Sequence, residues 1–140
     1  KEIFKTSGGK YVAPGPIENT MKASNFIEQI MVIGEGKKHA AALVVPAFAF
    51  IKEWCKEQGI TCSTNDEICA NKKVLNAINN DINQFNQSFG KVEQIKKIEL
   101  INCDWTILGG ELTPTMKPKR KPILQKYDHL VRKIYDDDNC

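Results

Sequence analysis

No apolar run in these 140 residues approaches the ~18 consecutive positions that a membrane-spanning helix needs. The N-terminus also lacks the charged-then-apolar pattern of a secretory signal. Neither a transmembrane segment nor a signal peptide is therefore expected. Internal repeats and low-complexity linkers are missing too, so the expectation is one domain over 1–140. Charge of one sign is scarce: 20 Lys and Arg stand against 17 Asp and Glu, a net of +3. That is too little for a surface built throughout to hold nucleic acid, so any basic function must be local. Five cysteines, at 55, 62, 69, 103 and 140, form an odd set with no CxxC spacing. Cys55, Cys62 and Cys69 recur every seven residues, but Gly59 and the segment Thr61–Thr64 interrupt any helix that would align them. Reduced structural thiols are the first reading, ahead of disulfides or a metal site, and the expected compartment is the cytoplasm. What is present, 41% hydrophobic and 26% charged residues, suits a domain burying roughly two-thirds of its unfolded surface.

The order of apolar runs and breakers predicts an α+β fold: a small, mainly antiparallel sheet flanked by helices, preceded by an N-terminal hairpin. Ile3–Ser7 and Lys10–Ala13 are short β-prone runs around Gly8-Gly9, a pair suited to a tight turn with positive φ. Pro16 suits a first helical position, and Ile17 and Met21 share one face of a short helix ending near Ser24. Ile27–Ile33 and Ala40–Val45 read as a central antiparallel pair. Phe48–Gln58 reads as a helix, and Thr64 with Glu67 forms a capping-box pattern for another. Val74, Leu75, Ile78, Ile82, Phe85 and Phe89 mark a core-facing helix up to Gly90. Ile95–Ile101 is a further strand, Thr106–Leu112 a candidate one around Gly109-Gly110, and Pro122 begins a last amphipathic helix through Ile123, Tyr127, Leu130 and Ile134. Asp136–Asp138 oppose the dipole at its end, so the tail is expected to fray.

Between Pro114 and Pro122 lie four basic residues within five positions: Lys117, Lys119, Arg120 and Lys121. Prolines at 114, 118 and 122 hold the segment out of regular helix, so these charges ride on a projecting loop. Three readings stand open at this point. The loop is a solvated surface element; or it holds nucleic acid, although Trp105 and Tyr127 flank it without entering it; or it delivers one lysine into an anionic reaction centre.

The segments TSGGKYVAPGPIE (6–18) and LTPTMKPKR (112–120), on the order of 100 residues apart, resemble the C-terminal domain of the adenylate-forming enzymes. Within that group they are most similar to the long-chain fatty acyl-CoA synthetases, as is IEQIMVIGEGKKHAAALVVP (27–46) between them. The resemblance implies a ligase that joins a fatty acid to ATP as an acyl-adenylate, releases pyrophosphate, and passes the acyl group to coenzyme A. ATP and Mg2+ would be bound mainly by a large N-terminal AMP-binding domain that these residues do not contain, so this chain alone would be inactive. No nucleic-acid partner is implied, and the whole enzyme would be cytoplasmic or peripheral to a membrane. The nearest neighbour of this reading is a ligase of the same superfamily acting on another carboxylic acid, and the alternative from a different class is a standalone basic module for anions or nucleic acid.

By the same resemblance Lys117 is the catalytic lysine that reaches the acyl carboxylate and the α-phosphate. Relatives often carry glycine where this chain has Met116, a departure typical of the long-chain subgroup. Lys119, Arg120 and Lys121 would supply supporting charge, with Arg120 and Lys10 as phosphate-binding positions. Ser7, Gly8 and Gly9 would line the channel for the pantetheine arm of coenzyme A. Lys1 would be the hinge on which the small domain pivots between two half-reactions.

Overall fold

Gly8 and Gly9 do close a hairpin. In the computed structural model, which describes residues 2–136, strand β1 (Phe4–Lys5) pairs antiparallel with β2 (Tyr11–Val12). Helix α1 (Pro14–Met21) follows, with Pro14 rather than Pro16 in first place, and it ends at Met21. Both prolines fall within the first turn, where backbone N–H groups have no intrahelical acceptor, so neither costs a hydrogen bond. Ile17 and Met21 point inward and are fully buried.

Strands β3 (Ile27–Ile33) and β4 (Ala40–Pro46) form the expected antiparallel pair. All seven β4 residues are buried, which fits a centre strand covered on both faces. Three helices then cross back: α2 (Phe48–Glu57), α3 (Asn65–Ala70) and α4 (Lys72–Asn86). The capping box forms as its spacing predicts, with the Glu67 amide donating to Thr64 Oγ1 at 3.1 Å and the Thr64 amide to Glu67 Oε1 at 3.0 Å. Helix α4 stops at Asn86, short of Gly90. The Asn86 side chain is diverted to the chain ahead, accepting from the Ile95 amide at 3.0 Å and donating to the Ile95 carbonyl at 2.9 Å.

Strand β5 (Ile95–Leu100) joins the sheet beside β4 and parallel to it, so the order is β3-β4-β5. The chain is α+β, with two antiparallel pairings and one parallel. Two expectations need correction. Thr106–Leu112 is not a strand: apart from one bridge between Leu112 and Pro118 it is a series of turns. The last helix is two, α5 (Arg120–Lys126) and α6 (Asp128–Asp136), broken at Tyr127, whose φ of −110° and ψ of 26° leave the helical region. Tyr127 is buried there, its ring centroid 6.3 Å from that of Trp105. Pro122 falls in the first turn of α5, where it is tolerated. The hinge expectation at Lys1 and the fraying beyond Asp136 lie outside the described residues.

The hairpin is fastened to the β3–β4 loop. The Ser7 amide donates to the Lys37 carbonyl and the Gly36 amide to the Lys5 carbonyl, each at 2.9 Å. Gly34 permits this docking: a Cβ there would sit 3.0 Å from Phe4 Cε1 and 3.1 Å from the His39 carbonyl oxygen.

Candidate functional site

The segment before Lys117 is a built turn rather than a slack loop. Pro114 presets the backbone at the second position of a turn that Thr113 opens. The Met116 amide donates to the Thr113 carbonyl at 2.8 Å, and the Thr113 amide donates to the Lys117 carbonyl at 2.8 Å. The Lys117 amide reaches Thr113 Oγ1 at 3.1 Å, and the hydroxyls of Thr113 and Thr115 lie 3.1 Å apart. Met116 closes the turn at φ 67°, the left-handed bulge position that glycine takes without penalty. An L-residue there costs on the order of 1–2 kcal/mol, part of which glycine would return as unfolded-chain entropy. Met116→Gly is accordingly expected to raise stability by about 0.5–1 kcal/mol, read as a higher urea midpoint with an unchanged denaturant slope. The Lys117 side chain is exposed, and among the described residues its ammonium has no partner.

Beneath this turn lies Glu111, 5% exposed. Its Oε1 accepts from the Thr106 amide at 3.0 Å and its Oε2 from Lys126 Nζ at 3.1 Å, while its carbonyl accepts from the Lys119 amide at 2.7 Å. The Thr106 amide, and after it the Lys126 ammonium, hold the carboxyl below its ordinary range against the opposing effect of burial. Gln29 on β3, also 5% exposed, turns Nε2 toward the Met116 carbonyl at 3.5 Å.

Arg120 is committed inward. Its Nη2 donates to Glu18 Oε2 at 2.7 Å, its Nη1 donates to the Val32 carbonyl, and its Nε lies 3.1 Å from Glu2 Oε2 without hydrogen-bond alignment. Glu18 also accepts from the Val32 amide at 2.8 Å, so one ion pair ties α1, β3 and α5 together. Burial pushes the Glu18 carboxyl up, against the pull of Arg120 and the Val32 amide. The guanidinium expected at phosphate is thus engaged by Glu18, and of the basic cluster Lys117, Lys119 and Lys121 are the exposed members.

The glycine turn lies at the other end of the chain. Its closing bonds run from the Gly9 amide to the Thr6 carbonyl at 3.0 Å and from the Thr6 amide to the Lys10 carbonyl at 2.9 Å. Gly9 has φ 82° and so needs glycine's freedom. Gly8 does not: a Cβ there would meet only Thr6 Oγ1, at 4.0 Å. Ser7, Gly8, Gly9 and Lys10 are all exposed.

The expected site residues do not converge on one pocket. A groove of about 480 Å³ between the hairpin and α5–α6 is lined by Glu2, Phe4, Gly34, Arg120, Leu124 and Tyr135 among others, and neither Lys117 nor the glycine turn borders it. Among the described residues no group of three or more His, Cys, Asp or Glu side chains is placed to hold a metal, and no helix is long and apolar enough to cross a membrane. Glu18 and Gln29 lay within the segments 6–18 and 27–46 but with no role read for either, and Lys126 carried no signal in the sequence. Glu111 did stand directly before LTPT, but only the fold shows that it is buried.

A model of the family described as the AMP-binding enzyme C-terminal domain matches residues 1–139. The long-chain-fatty-acid–CoA ligase FadD15 of Mycobacterium tuberculosis is 31% identical over 139 residues, covering 99% of this chain and 23% of that protein. Human long-chain-fatty-acid–CoA ligase 1 is 38% identical over 138 residues, covering 96% of this chain and 20% of that protein. The chain thus spans about a fifth of the length of the curated relatives it matches. In structure it is similar to the A-PCP didomain of carboxylic acid reductase from Segniliparus rugosus in complex with AMP, with a TM-score of 0.76 at 21% identity over 98% of this chain and 18% of that one. That likeness concerns the fold, and the match along the sequence settles the membership: this chain belongs to the AMP-binding enzyme C-terminal domain family.

Proposed function

We propose that this domain is the mobile C-terminal lid of an ATP-dependent long-chain fatty acid–CoA ligase, and that its two exposed turns serve two half-reactions. The observation that carries the reading is Lys117, an exposed ammonium with no partner among the described residues, held on a hydrogen-bonded turn. In the first half-reaction a fatty carboxylate oxygen attacks the α-phosphorus of ATP, and pyrophosphate leaves. Two anions are brought together and negative charge grows on the phosphoryl oxygens, so a preplaced cation stabilises the transition state more than the ground state. Lys117 supplies that cation as a point charge on a flexible stem. In the second half-reaction the coenzyme A thiol attacks the acyl carbon and AMP leaves. Ser7, Gly8 and Gly9 then face the pantetheine arm, which passes closely over backbone without Cβ.

The rest of the enzyme supplies what this chain lacks. A large AMP-binding domain would hold adenine, the fatty acid and the phosphates, together with Mg2+, which offsets phosphate charge when bound. Lys10, exposed beside the glycine turn, is suited to a phosphate of either ligand. Arg120 contributes by anchoring α5 behind the lysine turn. Lys1 is the proposed hinge, and the whole enzyme is placed in the cytoplasm, with peripheral membrane association compatible with its fatty substrate. A standalone nucleic-acid module finds less support: Trp105 and Tyr127, the aromatics flanking the basic loop, are 4% and 7% exposed and offer no face for bases to stack on.

The glycine turn provides the experiment. Gly8→Leu is tolerated by the fold, since the position opens to space. In the whole enzyme it is expected to slow acyl-CoA formation from supplied acyl-adenylate by roughly tenfold or more, because the reacting thiol is displaced. Pyrophosphate release in the absence of coenzyme A should be unchanged. Equal loss in both assays, with the protein folded, would remove the glycine turn from the coenzyme A channel.

A further inference from the structure

We propose that Glu111 is the positioning residue of the lysine turn: a buried carboxylate that fixes where Lys117 is presented without touching the reacting groups. The inference rests on the lid reading above and extends it to a residue outside the reacting set. Glu111 stands where two turns share a base. Through Oε1 it holds Thr106, which opens the 106–110 turn, and the Leu112 amide closes that turn by donating to the Thr106 carbonyl at 3.2 Å. Through its own carbonyl it holds the Lys119 amide at 2.7 Å, on the outgoing arm that carries Lys117, and the Leu112–Pro118 bridge lies between. Through Oε2 it ties this base to Lys126 on α5.

A charge costs free energy to bury unless it is paired and hydrogen-bonded, so packing alone would favour an apolar residue at a site 5% exposed. What a carboxylate adds is direction: one oxygen aimed at the fixed Thr106 amide and the other at the Lys126 ammonium. The surroundings are shaped to leave it that room. A Cβ on Gly109 would stand 2.6 Å from Glu111 Oε1 and 2.8 Å from Thr106 Oγ1, so any larger residue here must push the carboxylate or the Thr106 hydroxyl from its place. Gln29 supports the same turn from β3 through the Met116 carbonyl. Lys117 itself is free to reach outward, and the precision of its delivery therefore lies in the backbone beneath it. A displacement of about 1 Å in a catalytic group lowers rates by on the order of 10²-fold.

Three substitutions reach this brace by different routes, and each is to be made in the whole enzyme. Glu111→Leu removes both oxygens, Gly109→Ala crowds them without touching Glu111, and Lys126→Met removes one partner. Glu111→Gln keeps the shape and the Thr106 bond, and serves as the conservative rescue. Adenylation, followed by pyrophosphate release without coenzyme A, is expected to fall on the order of 10- to 10²-fold in Glu111→Leu and Gly109→Ala. It should fall less in Lys126→Met and Glu111→Gln. The loss should appear in kcat with KM for ATP and fatty acid held, and acyl-CoA formation from supplied acyl-adenylate should be unchanged. Lys117→Ala, run alongside, separates the two ideas. If it slows adenylation while Gly109→Ala and Lys126→Met do not, the positioning role is overturned and the lid reading survives. Equal slowing of both half-reactions by Gly109→Ala, or a loss confined to KM, also overturns it. No effect of Lys117→Ala on adenylation removes the lysine turn itself and this inference with it.

Discussion

Lys117→Ala in the whole enzyme is expected to slow acyl-adenylate formation by roughly 10²-fold or more, about 3 kcal/mol, the loss typical of one preorganised group at developing charge. Stability should barely move. The side chain is exposed and its ammonium has no partner among the described residues, so its removal belongs with surface substitutions worth about 0.5 kcal/mol or less. What holds the turn is backbone and hydroxyl, namely Thr113 with Met116 and Lys117, and none of it is lost on truncation at Cβ. Activity and folding are therefore separable at this residue. Pyrophosphate release without coenzyme A reads the first, and a urea titration of the same preparation reads the second. Lys117→Arg should recover only part of the rate, because a planar fork does not replace a point charge in the same space.

The second large effect is on stability. Arg120→Met is expected to cost about 3 kcal/mol, because among the described residues it leaves the Glu18 carboxylate, in a half-dry site, only the Val32 amide as a hydrogen-bond partner. For a chain of this size that is a drop in Tm on the order of 10 °C. The pH dependence has a definite sign. Burial already raises the Glu18 pKa, and Arg120 is the largest opposing influence, so its removal raises that pKa further. An acid whose folded pKa is raised favours the fold below its unfolded pKa and loses that contribution as pH rises through the folded value. The deficit of Arg120→Met should accordingly shrink as pH falls toward the ordinary carboxylate range and be full at neutral pH. Glu18→Gln combined with Arg120→Met should recover much of the loss, since the pair couples directly. A deficit independent of pH, or one unaltered by Glu18→Gln, would mean that Arg120 acts through packing alone.

Much of the fold follows from local pattern. Gly8-Gly9 between β-prone runs, the apolar runs at 27–33 and 40–45, and the Thr64–Glu67 box each specify an element within a few residues of chain. Features that depend on distant partners were illegible. Strand β5 runs parallel to β4 because three helices carry the chain back, and nothing within Ile95–Leu100 records that direction. Thr106–Leu112 offers apolar residues around Gly109-Gly110 as a candidate strand, but Gly110 takes φ 87° and the Glu111 carboxylate caps Thr106 instead. The break at Tyr127 was hidden by an amphipathic stripe running from Ile123 to Ile134, since Ile123, Tyr127 and Ile134 are all buried across the bend. The site shows the same division. A lysine on a proline-flanked loop is visible in the sequence, whereas the Glu18–Arg120 pair joins residues 102 positions apart. Only the fold shows that Arg120, read as supporting charge, is neutralised from within.

The account stands on two turns doing two different jobs, and the crossing of two substitutions with two assays tests that most directly. Lys117→Ala and Gly8→Leu would each be made in the whole enzyme, and each protein would be measured for pyrophosphate release without coenzyme A and for acyl-CoA formation from supplied acyl-adenylate. The account predicts a crossed result: Lys117→Ala loses roughly 10²-fold in the first assay and little in the second, and Gly8→Leu loses only in the second. Parallel losses, with both variants folded, would contradict it.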